Sequence, residues 1–252
     1  MIPIKTSQEL KLMREGGKIL GEALSLVIKN VKPGITEIQL DKLADDLITK
    51  RGATPGFKKV QGYKHATCIS TNNVVVHGIP TDYALKEGDV IGIDCGVFYK
   101  GFHTDMSHTV AVGGTNQKTK DFLSIGEKAL DESIKQAVPG NRIGNISAVI
   151  EEIVEGNSYS VVKSLIGHGV GRLLHEEPEI PGYLASDVEK TPKVKEGMTL
   201  ALEVIYNMGE EDVIYANKDG WTISTKDGSL SAVFERTIAV GENGPEVLTE
   251  LL

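Results

Sequence analysis

Residues 85–113 read LKEGDVIGIDCGVFYKGFHTDMSHTVAVG and contain two β-rich runs, VIGID and HTVAV, separated by a turn signal at Gly101. Parts of this stretch recur later in the chain, and so does a helical segment that precedes it. The similar pairs are KPGITEIQLDKLADDLI (32–48) with VPGNRIGNISAVIEEIV (138–154), LKEGDVIGID (85–94) with VKEGMTLALE (194–203), and HTVAVG (108–113) with RTIAVG (236–241). Three matches in the same order predict an internal duplication, with repeats at approximately 1–114 and 115–252.

The order of predicted helices and strands repeats in the same way. Capping patterns and apolar residues at helical spacing predict helices at about 6–31, 36–51, 117–137 and 145–155. Short β-rich runs follow each pair of helices. No Pro/Ser-rich linker separates the repeats, so we expect a single domain over residues 1–252. A site between two related halves would take ligands from both.

The composition excludes several classes of protein. The chain has 252 residues, of which 40% are apolar and 25% are charged, as in globular rather than disordered proteins. No apolar run reaches the roughly 18 residues of a membrane span, and the N-terminal stretch lacks the apolar core of a signal peptide. The net charge of −8 disfavours a nucleic-acid coat. Two cysteines, Cys68 and Cys95, cannot build a disulfide framework, so we expect a cytoplasmic protein.

Four carboxylates interrupt apolar strand patterns, in which charged residues are unusual. They are Asp94, Asp105, Glu203 and Glu235, two from each half. Any one of them alone is more often found on a solvent-exposed strand face, because a buried carboxylate is costly unless it is paired or metal-bound. A cluster of four would need cations, and oxygen ligands with one imidazole suit divalent Mn, Fe, Co or Zn. His168, which follows an apolar run and lies between glycines, is the best imidazole candidate.

The sequence context separates two further candidate site histidines from the remaining histidines and cysteines. His77 shares an HG[IV] context with His168, which fits the duplication, and His175 follows His168 in the same segment. Surface or hydrogen-bonded core positions are expected for His65, His103 and His108. Cys68 and Cys95 lie in apolar β-rich sequence and are by default inert core residues. The sequence has no G-x-S-x-G elbow, H-E-x-x-H helix or P-loop, which leaves the serine-nucleophile and phosphate-binding classes unsupported.

In these contexts the chain resembles the methionine aminopeptidases of the short bacterial type (type I), which lack an N-terminal zinc-binding extension. The resemblance covers nearly the whole chain and rests on the ordered series Asp, Asp, His, Glu, Glu and its surroundings. The matching segments include GATPGF, CISTNNVVVHGIP, KEGDVIGID, GFHTDMSHTV, GHGVGRLLHEEP, KEGMTLALE and DGWTISTKDGSLSAVFERT. The resemblance implies the pita-bread fold, an α+β fold in which an antiparallel β-sheet is flanked by helices in two pseudo-twofold related halves.

The resemblance also implies roles for individual residues. The implied ligands of two divalent metal ions (Co, Mn, Fe or Zn) are Asp94, Asp105, His168, Glu203 and Glu235, with Asp105 and Glu235 bridging. The implied catalytic residues are His77, which positions substrate, His175, which donates to the oxyanion, and Glu203, which shuttles a proton. The implied substrate-binding residues are His77 and His175 together with Tyr63, Cys68 and Trp221, which line a pocket for the methionine side chain.

The implied function is a metal-dependent aminopeptidase that removes the N-terminal methionine from nascent polypeptides with a small second residue, by a metal-activated hydroxide. We expect a monomer without membrane or direct nucleic-acid partners, and contact with the ribosome stays open. Two alternatives remain: an Xaa-Pro aminopeptidase or prolidase-like hydrolase of the same fold, and a catalytically inactive binding module. Five positions depart from the family pattern without removing a ligand: Val204 for Pro, Val233 for Gln, Arg236 for His, and Phe57 and Leu174 for more usual pocket residues.

Overall fold

The computed structural model describes residues 2–252. This part of the chain holds four α-helices, α1 (Ser7–Lys29), α2 (Glu37–Lys50), α3 (Gln117–Ile134) and α4 (Ile143–Glu155). Both α1 and α2 begin at a capping box, in which the side chain of Thr6 or Thr36 accepts a hydrogen bond from a backbone N–H of the first turn. The four predicted helices are therefore confirmed, with ends displaced by at most three residues.

The strands pair antiparallel throughout the described residues. The first half contributes β1 (Thr54–Pro55), β2 (Thr67–Thr71), β3 (Val74–Val76), β4 (Val90–Tyr99) and β5 (Phe102–Ala111). The second half contributes β6 (Ser160–Val161), β7 (Ile166–Gly169), β8 (Glu176–Pro181), β9 (Thr199–Asn207), β10 (Val213–Tyr215), β11 (Ile223–Thr225), β12 (Ser231–Gly241) and β13 (Gly244–Val247). Short 3-10 turns occur at Gly56–Lys59 and Val188–Lys190.

Three sheets connect these strands. In the first, β4 pairs with β1, β2 and β5. In the second, the order is β13-β12-β9-β7-β8, with β6 also paired to β9. The third, β10-β11-β3, takes strands from both halves. Since β5 also packs against β12, the two halves meet along long strands rather than through a linker.

Each half has its own apolar core beneath its pair of helices. In the first half, Leu20 of α1 and Ile91 and Ile93 of β4 belong to one buried cluster. In the second half, Phe122 of α3 and Tyr206 of β9 belong to another. Burying such a side chain contributes about 1.5–3 kcal/mol, which holds the helix-covered faces of the sheets in these cores and leaves their other faces to line a site. No helix within residues 2–252 combines the length and apolarity needed to cross a bilayer.

Candidate active site

The five predicted ligand residues line one cavity between the halves. Asp94 lies on β4, Asp105 on β5, His168 on β7, Glu203 on β9 and Glu235 on β12. Because side chains alternate along a strand, these residues face the cavity while their apolar neighbours face the cores. The cavity has a volume of about 140 Å³. Strands of both halves therefore bring the five side chains to one cavity.

Each of four of these side chains has a ligand atom close to that of at least one other. One ligand atom from each of Asp105, His168 and Glu235 lies within 4.8 Å of the others. His168 Nε2 lies 3.4 Å from Glu203 Oε1. Glu203 in turn lies directly opposite Glu235 in the β9–β12 ladder, and Asp94 lines the same cavity from β4. Since like charges placed directly opposite each other destabilise a sheet, this arrangement requires a neutralising cation or bound protons.

Burial makes the carboxylates resist ionisation. The pKa of Asp105 is raised to about 7 by loss of hydration. Burial and repulsion from neighbouring carboxylates raise the pKa of Asp94, Glu203 and Glu235 well above their ordinary values. Asp94 Oδ1 and Glu235 Oε1 are buried without a hydrogen-bond partner among residues 2–252. Divalent cations would satisfy these oxygens and offset the repulsion, so the donor set fits a metal site.

The imidazole of His168 has the protonation state of a neutral nitrogen ligand. Its Nδ1 lies 2.9 Å from the Gly169 carbonyl oxygen, which can only accept, so Nδ1 carries the proton. Burial, with a smaller contribution from His175, lowers the pKa of His168 to about 4. The ring is therefore neutral at pH 7, and Nε2 presents its lone pair to the cavity.

His77 and His175 lie at the mouth of the cavity. The His175 ring packs edge-on to that of His168, with 4.4 Å between the ring centroids. Burial lowers the pKa of both His77 and His175. His77 has a φ of 56°, and a Cβ on the following Gly78 would overlap the Ile69 carbonyl oxygen. This close approach explains why a glycine, which has no Cβ, follows His77. It also fixes the turn that carries the histidine.

An aromatic pocket adjoins the carboxylates in the same cavity. The ring of Tyr63 lies edge-on to that of Trp221, with 5.1 Å between centroids and 69° between planes. Cys68 packs in the same cluster, and burial raises the pKa of its thiol well above the ordinary value. The Tyr63 hydroxyl donates a hydrogen bond of 2.8 Å to the Thr67 carbonyl oxygen. With the thiol protonated and the hydroxyl satisfied, the pocket offers an apolar, polarisable surface.

Known proteins of similar sequence and structure identify the family. Residues 11–242 match the model of metallopeptidase family M24. The chain belongs to this family. It is 46% identical to a methionine aminopeptidase of Clostridium perfringens over 99% of both chains. A crystal structure of methionine aminopeptidase from Thermotoga maritima superposes with a TM-score of 0.96 at 40% identity, covering 99% of this chain and 100% of that one.

The M24 fold extends to larger enzymes. A prolidase from Pyrococcus furiosus superposes with a TM-score of 0.79 at 25% identity, over 99% of this chain but only 66% of the prolidase. The pita-bread fold and the methionine aminopeptidase resemblance expected from the sequence are thus confirmed. Membership of a metallopeptidase family also means that divalent metal is used.

Three residues that depart from the usual pattern lie beside the ligand set of this M24 metallopeptidase. Val204 is fully buried in the core of the second half, and Val233 lines the cavity. Arg236 lies behind the cavity, where its Nη1 donates hydrogen bonds to the carbonyl oxygens of Ser107 at 3.1 Å and Glu235 at 2.7 Å. Arg236 therefore links β5 to β12 at the back of the site.

Sequence reasoning missed parts of the site. Val60 and Val76 line the cavity, but valines in such patterns carry no chemical signal. A second, outer cavity of about 980 Å³ shares His77, His175 and Glu203 with the first. Its walls come from residues distant in the chain, so no local pattern could have indicated it.

Two histidines depart from the expected hydrogen-bonded core position. His103 is buried and His108 is partly buried, and the buried Nδ1 of each has no hydrogen-bond partner within the described chain. Burial lowers the pKa of both to about 4. A neutral ring costs far less to bury than a charged one, which explains how the fold tolerates the missing partners.

Proposed function

We propose that this chain removes the N-terminal methionine from polypeptides by metal-dependent hydrolysis. The observation that carries the proposal is a single cavity that joins carboxylates and an imidazole to an aromatic, thiol-lined pocket. The first group of side chains suits divalent cations, and the second suits a thioether. The methionine aminopeptidases with similar sequences and structures support the same conclusion.

Two divalent cations are the proposed cofactor. Their five ligands would be Asp94, Asp105, His168, Glu203 and Glu235. The shared cavity and the two buried carboxylate oxygens without partners support this assignment. Co, Mn, Fe and Zn all accept oxygen ligands with one imidazole. When bound, such ions polarise a carbonyl group and lower the pKa of water, which makes hydrolysis possible near neutral pH.

Glu203 is the proposed proton carrier. Its Oε1 lies 3.4 Å from His168 Nε2 in the ligand cluster, where a carboxylate would accept a proton from the attacking water and pass it to the nitrogen of the leaving amine. His175 donates a hydrogen bond to the scissile carbonyl oxygen as negative charge develops there. His77, which lines both cavities, orients the backbone of the substrate.

The shape of the two cavities favours an exopeptidase that acts on a long chain. Tyr63, Cys68 and Trp221 would hold the methionine side chain in the inner cavity, where sulfur–aromatic contacts are favourable. The outer cavity would then carry the rest of the polypeptide away from the reacting bond. The proposed substrates are nascent polypeptides, with the small second residues that the resemblance to methionine aminopeptidases implies. Such substrates, together with two free cysteines, favour a cytoplasmic location.

The test is release of methionine from Met-Ala-Ser by protein loaded separately with Mn, Fe, Co or Zn. We expect activity with at least one metal, and its loss in Glu203→Gln while circular dichroism stays unchanged. Glu242→Gln is the matched control, because Glu242 is exposed and lines neither cavity. Inactivity with every metal would contradict the proposal. Preferential cleavage of Xaa-Pro peptides would favour a prolidase-like hydrolase, and no metal uptake would favour a binding module.

A further inference from the structure

The N-terminal segment of the chain packs against the loop that carries His175. The backbone N–H of Lys5 donates a hydrogen bond of 2.7 Å to the Gly197 carbonyl oxygen, which fixes the segment beside the second half. The Lys5 side chain then runs over the loop at Gly171, so closely that a Cβ on this glycine would overlap the lysine Cε. A lysine near the start of the chain thus reaches the surroundings of the active site.

Lys5 ends in a buried ion pair with Glu176. Their side chains are only 4% and 6% exposed, and Lys5 Nζ lies within hydrogen-bonding distance of Glu176 Oε2. The other carboxylate oxygen, Oε1, accepts the backbone N–H of Leu173 at 3.1 Å. Both carboxylate oxygens of Glu176 therefore have partners. Oε1 accepts a hydrogen bond from within its own loop, and Oε2 connects the loop to the N-terminal segment.

These contacts enclose one residue that lines the inner cavity and one that takes part in the proposed reaction. Leu174 lines the inner cavity, and His175 lies at its mouth, one residue before Glu176. The loop is also held by the Gly171 carbonyl oxygen, which accepts the His103 N–H at 2.6 Å. The Arg172–Glu9 pair on its outer side has an arginine side chain that is 68% exposed, so solvent screens it and it contributes little.

We propose that Lys5 is a positioning residue, which through Glu176 fixes the loop that presents Leu174 and His175 to the substrate. The proposal rests on the proposed function only for its consequence in catalysis. A buried ion pair often contributes no more stability than apolar side chains of similar size, but it restricts its partners to one geometry. That restriction suits a loop whose histidine must meet a carbonyl oxygen within a hydrogen-bond distance.

The first test compares Lys5→Met in two backgrounds. In the wild-type background we expect kcat for Met-Ala-Ser to fall about 10- to 100-fold, because a misplaced catalytic group loses that much. In a His175→Ala background the same substitution should leave kcat nearly unchanged, since the histidine that it misplaces is already absent. Glu9→Gln, which removes the exposed pair of the same loop, should keep wild-type activity. Equal losses of kcat in both backgrounds would overturn the proposal.

The second test separates positioning from stability. Lys5→Met alone leaves the Glu176 charge buried without its partner and is expected to lower the melting temperature. The double variant Lys5→Met/Glu176→Gln carries no charge there and keeps an acceptor for the Leu173 N–H. We expect it to recover the melting temperature but to keep the low kcat. A double variant with wild-type kcat would show that the pair serves stability alone.

A third measurement does not depend on catalysis. Amide hydrogen exchange of residues 171–176 should be faster in the double variant than in the wild type, with exchange elsewhere unchanged. Unchanged exchange in this loop would overturn the proposal whatever the activity. If the wild type were inactive with every metal while exchange still rose in the variant, the proposed function would fail and the positioning of the loop would stand.

Discussion

Thr109 Oγ1 of β5 and Thr237 Oγ1 of β12 each make two hydrogen bonds to the backbone of the facing strand. In each case the hydroxyl donates to the carbonyl oxygen of one residue and accepts the N–H of the same residue. Thr109 accepts the Val233 N–H at 3.0 Å and donates to the Val233 carbonyl oxygen at 2.7 Å. Thr237 makes both bonds with Asp105 at 2.8 Å. Asp105 precedes Thr109 by four residues, as Val233 precedes Thr237. We propose that this reciprocity is a product of the duplication predicted at approximately 1–114 and 115–252.

The two threonines offer a matched pair of variants. Thr237 holds the backbone of a proposed metal ligand, whereas Thr109 holds that of a valine. Both Thr237→Val and Thr109→Val should lower the free energy of unfolding by about 1–3 kcal/mol, because each leaves buried backbone groups without partners. Thr237→Val alone should also weaken metal binding. Urea unfolding and calorimetric titration with Mn²⁺ measure the two effects, and equal metal affinities would contradict the prediction.

The stability of the metal-free protein should depend on pH in a particular direction. Burial raises the pKa of Asp105 to about 7, and burial with repulsion raises the pKa of each of the other three cavity carboxylates well above its ordinary value. The folded state therefore keeps protons that the unfolded state has released, and the free energy of unfolding falls as pH rises through 7. Buried histidines with a lowered pKa act in the opposite direction, mainly below about pH 6.5, the ordinary histidine pKa.

Chelator-treated protein should thus lose melting temperature between about pH 6.5 and pH 8, an interval above the ordinary histidine pKa in which the histidines oppose the fall only weakly. Metal-loaded protein should show no such loss, because bound cations keep the carboxylates ionised in the folded state. Asp105→Asn should reduce the fall in the chelated sample. A chelated wild type that becomes more stable over this interval would show that the carboxylates do not hold protons as described.

Replacing Trp221 should reduce the preference for a thioether. Trp221→Leu keeps the pocket apolar but removes an aromatic ring, and a sulfur–aromatic contact contributes about 0.3–1.5 kcal/mol. The ratio of kcat/KM for Met-Ala-Ser to that for the norleucine analogue should therefore fall about two- to tenfold. Tyr215→Leu is the control, because Tyr215 lies on β10 with 70% of its surface exposed. An unchanged ratio in Trp221→Leu would remove this tryptophan from the pocket.

A methyl group at Gly78 should disturb the turn that carries His77. The Cβ of Gly78→Ala would overlap the Ile69 carbonyl oxygen, so the turn must shift and kcat/KM should fall about 10- to 100-fold. Gly228→Ala is the comparison, because Gly228 has a φ of 77° and no neighbouring described atom within 4 Å. That variant should lose about 1–2 kcal/mol of stability from backbone strain and keep its activity. Similar kinetics in both variants would contradict a steric role for Gly78.

The sequence predicts the residues that carry the chemistry of the site better than it predicts the contacts that hold those residues in place. Asp94 and Glu203 stand out because a carboxylate within an apolar strand run is a local anomaly. Trp221 could be assigned only through the family resemblance, because an aromatic residue in a loop carries no local mark of a pocket. The Lys5–Glu176 pair could not be predicted, since its members are 171 residues apart. Whether a lysine is solvated or buried depends on the segment that packs over it.

The alignment of β9 with β12 places Glu203 directly opposite Glu235. Sliding either strand by a single residue would turn one of these carboxylates from the cavity into the apolar core. A chain that had made this error would hold every ligand residue and still fail to assemble the proposed ligand set. Only molecules with the correct strand pairing would then bind the cations. Isolating the metal-loaded fraction would therefore enrich for correctly paired molecules.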